Sequence, residues 1–205
     1  MKKKGLLICV EGVDQSGKKT QVGLLIKRLK EKGLQVEETS FPDYNTPIGK
    51  EIQAFLNGNR EYNVHVRHIL YAANRWERKK GLVEWLNKKR LVIVNRYSPS
   101  NLAYGLANGL NLEWLLNLEK GLPEADLIIV LDASPEVSFK RKSVGRDIYE
   151  RDLSFLRKVR EAYIQLSQKF QWVVVNGEKS IKNSHENIWE VVNKYIKEHS
   201  LTHQK

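Results

Sequence analysis

The residues of this chain most suited to chemistry stand near its start. Glu11, Gly12, Val13, Asp14, Gln15, Ser16, Gly17, Lys18, Lys19 and Thr20 follow an apolar stretch at 6–10 and precede an amphipathic one. The pattern G-x-x-x-x-G-K between a strand and a helix is the setting of a phosphate-binding loop. Its glycines let the backbone curl until successive N–H groups point at phosphate oxygens, and the helix N-terminus adds partial positive charge. Lys18 is placed to reach the outer phosphates of a nucleoside triphosphate. The next residue is normally Ser or Thr, whose hydroxyl binds Mg²⁺. Here it is Lys19, and Thr20 is turned a further ~100° around the helix.

Three further groups invite a chemical reading. Tyr71 and Arg75 are four residues apart, so on a helix they share a face. A flat ring beside a planar fork suits a base held by stacking and hydrogen bonds. The same spacing also describes a core aromatic beside a helix salt-bridge partner. Arg96 directly follows an apolar stretch at 91–95, where ligands of a parallel sheet gather. Basic residues crowd the segment 140–151, among them Arg141 and Arg146, with Gly145 as a hinge. That segment reads either as a solvated helix end or as a lid closing over phosphates.

These residues need a scaffold, and the hydrophobic pattern supplies one. Short β-rich runs at 6–10, 35–40, 91–95, 126–132 and 171–176 alternate with amphipathic stretches at 18–32, 46–57, 64–88, 100–108, 112–119, 135–142, 152–169 and 181–199. Several strand candidates are apolar throughout, as expected when both faces of a parallel sheet are covered. The alternation predicts an α/β fold, a sheet with helices on both faces, in which the residues just after each strand carry the chemistry. No linker or repeat divides the chain, so 1–205 reads as a single domain. The apolar run at 127–131 is far short of the ~18 residues a membrane span needs. The apolar start is likewise too short for a secretory signal. One cysteine excludes an internal disulfide framework. A cytoplasmic location is the expectation. The chain carries 35 Lys and Arg against 24 Asp and Glu, a net charge of +11. Nucleic-acid motifs are not evident, so a phosphorylated small ligand and a solvated Lys-rich surface share that excess.

Six ordered segments fall into register with one family, and from about 6 to 163 the chain resembles thymidylate (dTMP) kinase. The segments are Glu11-Gly12-Val13-Asp14, the Phe41-Pro42 run through Gly49, Leu70 to Glu77, Asn95-Arg96-Tyr97, Gly121 to Leu127, and Arg146 to Glu150 with Phe155 and Tyr163 beyond. The resemblance implies a three-layer P-loop NTPase fold, a five-stranded parallel sheet with helices on both faces and a short lid at about 140–151. It implies ATP-dependent phosphorylation of dTMP to dTDP with Mg²⁺, and a homodimer. ATP would lie on Gly12 to Thr20. The acceptor dTMP would lie among Asp14, Phe41, Tyr71, Arg75, Arg96, Tyr104 and Tyr149, with Asp14 receiving the sugar 3′-hydroxyl and Arg96 the phosphate. Lys18, Arg96, Arg146 and Arg141 are the implied catalytic cations. The lid supplies the last two, because the loop position that carries a cation in some relatives is Gln15 here.

Two departures fall at metal-related positions. Lys19 replaces the hydroxyl, and Asn95 stands where the family has an aspartate; Asn95 and Glu11 are the candidate metal ligands. Tyr44 occupies a position that is Arg in some relatives. Three readings stay open from the residues: a dTMP kinase with an altered Mg²⁺ site, a catalytically weakened nucleotide-binding paralogue, and a kinase for another nucleoside monophosphate.

Overall fold

The computed structural model describes residues 5–141, 147–149 and 151–199. The chain runs β1 (Leu6–Glu11), α1 (Lys18–Glu31), β2 (Val36–Ser40), α2 (Pro47–Leu56), α3 (Val64–Asn87), β3 (Leu91–Asn95), α4 (Ser98–Ala107), α5 (Leu112–Glu119), β4 (Leu127–Asp132), α6 (Pro135–Arg141), α7 (Leu153–Phe170), β5 (Val173–Asn176) and α8 (Ile181–His199). The five strands form one parallel sheet in the order β2-β3-β1-β4-β5. The predicted α/β class and five-stranded sheet are therefore present.

Burial explains the strand sequences. On β1, Ile8 and Val10 face a core shared with Leu25 and Leu29 of α1 and Ile188 and Val192 of α8. Leu7 and Cys9 face the other side, against Val92 and Val94 of β3 and Leu82 and Leu86 of α3. A strand covered on both faces has no polar side to show, hence the continuous apolar runs. Edge strand β2 instead alternates half-buried and exposed residues, and its Glu37 and Glu38 discourage further pairing. A third cluster joins Val13, Ile52, Leu102, Leu115, Val130 and Tyr163, tying the phosphate loop to α2, α4, α5, β4 and α7.

Two boundaries differ from expectation for local reasons. Helix α4 starts at Ser98 rather than 100, with Pro99 in the first turn, where its missing N–H has no intrahelical acceptor to lose. Strand β5 starts at Val173 rather than 171, because Gln171 adopts left-handed geometry (φ 57°) and ends α7.

The topology decides where chemistry is possible. From β1 the chain moves to the β2–β3 side of the sheet, then crosses to β4 and β5 on the other, so a crevice opens at the carboxyl end of β1. The phosphate loop leaves β1 there, and Arg96 leaves the neighbouring β3.

Helix α4, which lines this crevice, touches α5 behind it through a glycine. A Cβ at Gly105 would lie 2.5 and 2.6 Å from the two methyls of fully buried Leu115. Gly105→Ala is expected to destabilise the fold by about 1–3 kcal/mol. Adding Leu115→Ala, which opens space for the new methyl, is expected to cost less than the two single changes summed, as read from urea unfolding. Additive costs would show that the two helices do not meet there.

Candidate active site

The loop after β1 is built by residues in left-handed backbone geometry. Gly12 (φ 137°), Gln15 (φ 60°) and Gly17 (φ 103°) turn the chain back on itself before α1 begins at Lys18. Gly12 also has no room for a side chain, since a Cβ would sit 2.5 Å from the Leu131 carbonyl oxygen. Lys18 is buried, and its Nζ donates to the carbonyl of Val13 at 2.6 Å and to Ser16 Oγ at 3.5 Å. The loop thus encloses its own ammonium group. Val13 packs into the core, while Lys19 and Thr20 are exposed on the first turn of α1.

Beside this loop lies a cleft that gathers distant residues. Asp14, Phe41, Tyr71, Arg75, Arg96, Tyr104 and Tyr149 all line it, together with Pro42, Tyr44, Ser100, Asn101 and Asp147 among others. The seven sequence candidates for one monophosphate site therefore share one wall. Tyr71 and Arg75 do present a common face of α3. Tyr104 meets Tyr149 edge to face at 5.6 Å, and Tyr149 stacks on Phe155 at 5.2 Å, so one end of the cleft is aromatic.

The other end is charged. Arg96 sits at φ 64°, a left-handed conformation uncommon for a residue with a side chain, and its backbone N–H donates to Val10 O at 3.0 Å. Its guanidinium pairs with Asp14 and donates to Ser100 Oγ at 3.1 Å. Tyr104 Oη donates to the second Asp14 oxygen at 2.6 Å. Burial alone would raise the Asp14 pKa, but Arg96, Lys18 and the hydrogen bonds from Tyr104 and Arg96 outweigh it and hold the carboxyl below its ordinary value. The Arg96 guanidinium is correspondingly stabilised in its charged form: burial works against it, and Asp14, Tyr104, Tyr163 and Glu11 together outweigh that burial.

Glu11 faces inward, beneath the loop. It is fully buried, and both oxygens are engaged: Oε1 accepts from Tyr97 N (2.6 Å) and Cys9 Sγ (3.3 Å), Oε2 from Ser100 Oγ (2.6 Å) and Tyr163 Oη (2.8 Å). These four donors fill the acceptor capacity of the carboxylate in this conformation. Burial, with Glu11 next to it, pushes the Cys9 thiol well up, so Cys9 is an inert core residue. Asn95 is different. Its Oδ1 is buried and has no hydrogen-bond partner among the described residues.

Arg141 reaches the loop rather than the cleft. It donates to the carbonyls of Gln15 (3.3 Å), Ser16 (3.1 Å) and Gly177 (3.0 Å). In this conformation the guanidinium tethers α6 and the β5–α8 loop to the phosphate loop. Arg146 lies outside the described residues. Several functional neighbours were missed from sequence. Glu119 pairs with Arg75 across the cleft wall. Asn74 is fully buried and holds the 43–46 turn through Asp43 N (2.8 Å), Asp43 O (3.2 Å) and Thr46 Oγ1 (2.7 Å). Ser100 and Tyr163 relay Glu11 to Arg96. Only the neighbourhood of Arg75 and Arg96 in sequence hinted at Asn74 and Ser100; nothing local marks Glu119.

The profile of the Thymidylate kinase family matches residues 10–188. The thymidylate kinase of Dictyostelium discoideum is 36% identical over 203 residues, covering 98% of this chain and 91% of that protein. The human thymidylate kinase is 33% identical over 189 residues, covering 91% of this chain and 89% of that protein. Among solved structures, thymidylate kinase from Candida albicans superimposes with a TM-score of 0.86 at 32% identity, covering 98% of this chain and 96% of that one.

The Asp14 environment sets a pH dependence. A carboxyl whose pKa is lower in the folded chain adds stability that is complete above its ordinary value of 3.8 and is lost as the pH falls through the lowered one. The difference in unfolding free energy between wild type and Asp14→Asn is expected to be level from about pH 5 to 7 and to shrink at more acid pH. An undiminished difference at about pH 3 would show that Arg96 does not hold this carboxylate.

Proposed function

Because the chain belongs to the thymidylate kinase family, we propose that the crevice transfers the γ-phosphoryl group of ATP to dTMP, giving ADP and dTDP for dTTP synthesis. The chain is a nucleoside monophosphate kinase, a phosphotransferase. One observation supports the site assignment best: Asp14 belongs to the phosphate loop and also lines the cleft, so triphosphate and acceptor sites meet at one residue.

Phosphoryl transfer asks a protein for alignment and charge neutralisation rather than covalent help. On this reading the N–H groups of Gly12 to Thr20 and the Lys18 ammonium hold the ATP phosphates. Phe41, Tyr71 and Arg75 grip the base, Asp14 takes the sugar 3′-hydroxyl, and Tyr104 and Tyr149 close the pocket around the sugar. Arg96 holds the dTMP phosphate. An oxygen of that phosphate attacks the γ-phosphorus as the bond to the ADP oxygen breaks; a phosphate dianion needs no general base. Asp14 and Arg96 satisfy each other, which keeps both groups charged and in place. On the family resemblance, the segment at about 140–151 would be the lid of a single domain, with Arg146 the cation it supplies.

Mg²⁺ fits the site in a reduced form. Asn95 Oδ1, at the end of β3, is a buried acceptor without a partner among the described residues, and Mg²⁺ in kinases takes only one or two protein oxygens beside water and phosphate. Bound there, the ion would supply charge neutralisation to the transferring phosphates. Lys19 is exposed, which leaves its ammonium free to swing into solvent. A homodimer and a cytoplasmic location complete the proposal on the family resemblance. No helix among the described residues is long and apolar enough to cross a membrane.

The test is ADP release with a panel of nucleoside monophosphates, with and without Mg²⁺, for wild type, Lys19→Thr and Asn95→Asp. Wild type is expected to prefer dTMP and to require Mg²⁺, with dUMP poorer by about 10–200-fold for want of one methyl. Arg96→Ala is expected to lower kcat/KM for dTMP by about 100-fold or more. Turnover appearing only in Lys19→Thr or Asn95→Asp would overturn the assignment in favour of a weakened nucleotide binder.

A further inference from the structure

A chain of buried polar side chains stands behind Arg75. Arg75 donates through Nε to Glu119 Oε2 at 2.8 Å and through Nη2 to Glu119 Oε1. The two side chains are 3% and 9% exposed. Asn101 of α4 donates through Nδ2 to the same Glu119 Oε1 at 2.8 Å, and its Oδ1 lies 2.7 Å from His68 Nδ1. A carboxylate can only accept, so the amide must turn its nitrogen to Glu119 and its oxygen to His68. His68 Nδ1 therefore carries the proton, and Nε2 accepts from Asn108 Nδ2 at 3.4 Å. Burial, which outweighs the Asn101 hydrogen bond, lowers the His68 pKa to about 4, so the ring is neutral and its tautomer is constant near neutral pH. From Asn108 through His68 and Asn101 to Glu119, every donor direction is determined.

The neighbouring residue grips the same place. Trp76 Nε1 donates to Leu118 O at 3.2 Å, and its ring lies against Gly121, where a Cβ would be 3.1 Å away. The end of α5 is thus clamped by two successive residues of α3. Of the guanidinium nitrogens, Nε and Nη2 are engaged by Glu119, and Nη1 has no hydrogen-bond partner among the described residues. Arg75 and Asn101 both line the cleft, whereas Glu119 stands behind them.

We propose that Glu119, backed by Asn101 and His68, is a positioning residue for acceptor recognition: it fixes the rotation of the Arg75 guanidinium so that the Nη1 edge is presented to the base of the monophosphate. The proposal rests on the reading of the cleft as the acceptor site. Its physical content is preorganisation. An arginine already held in its working orientation loses less rotamer freedom when the nucleotide arrives, and its charge is already compensated. A pair that only tied α3 to α5 would affect stability and leave recognition alone.

The test compares wild type with Glu119→Gln, Glu119→Asp, Arg75→Met and the double variant Arg75→Met/Glu119→Gln, measuring kcat, KM for dTMP, KM for ATP and Tm. Glu119→Gln is expected to raise KM for dTMP about tenfold, with KM for ATP changed by less than about twofold. Against Arg75→Met the same change is expected to have no further effect on KM for dTMP, because its target is gone. Glu119→Asp keeps the buried charge and so keeps the fold, yet draws the carboxylate back; a rise of about threefold in KM for dTMP is expected. It carries the test if Glu119→Gln does not fold. Unchanged KM for dTMP in both Glu119 variants, or an equal rise in the Arg75→Met background, would overturn the proposal. Wild type that ignores dTMP overturns the reading of the cleft instead, and that result is obtained before any variant is measured.

Discussion

The site depends on one buried carboxylate. Glu11 ends the central strand, fully out of solvent, and a carboxylate in that position is tolerable only when its oxygens are filled. Its four donors come from three places: Cys9 on its own strand, Tyr97 N and Ser100 at the start of α4, and Tyr163 on α7. Accepting from Tyr97 N ties down the turn that follows β3, and that turn holds Arg96 in its left-handed conformation. Ser100, which donates to Glu11, accepts from Arg96 in return. The arginine assigned to the acceptor phosphate is therefore placed by a carboxylate it does not itself bond.

From Arg96 the same logic continues outward. Asp14 answers its charge and in turn accepts from Tyr104, so one line of alternating donors and acceptors runs from the core to the mouth of the cleft. A second line runs from His68 through Asn101 and Glu119 to Arg75. The two converge on the cleft, one beside the phosphate loop and one on α3. Both follow a common rule: a cation facing the ligand is held by a buried anion, which is held by neutral donors. Low local dielectric makes such networks stiff when complete and costly when broken.

The metal-related departures take on different weights in this setting. Lys19 is a surface residue on the first turn of α1, so its charge is solvated. Asn95 keeps a buried oxygen at the end of β3, and among the described residues nothing donates to it. Glu11 contributes to the site from beneath, by geometry.

Much of this was legible in the order of residues. Strands buried on both faces betrayed themselves as apolar runs, the glycines of the loop after β1 marked its curl, and the four-residue spacing of Tyr71 and Arg75 put them on one face of α3. Each is a local signal, written within a few residues of the feature it specifies. The pairings were not legible. Arg75 meets Glu119 across 44 positions, Arg96 meets Asp14 across 82, and Tyr163 meets Glu11 across 152. An acidic residue at the end of a helix looks the same whether it faces water or a buried guanidinium. Sequence by itself determined the elements, the loop and the family. Which carboxylate holds which cation was decided by strand order and helix packing, because only the folded sheet brings the carboxyl ends of β1 and β3 beside α3, α4, α5 and α7.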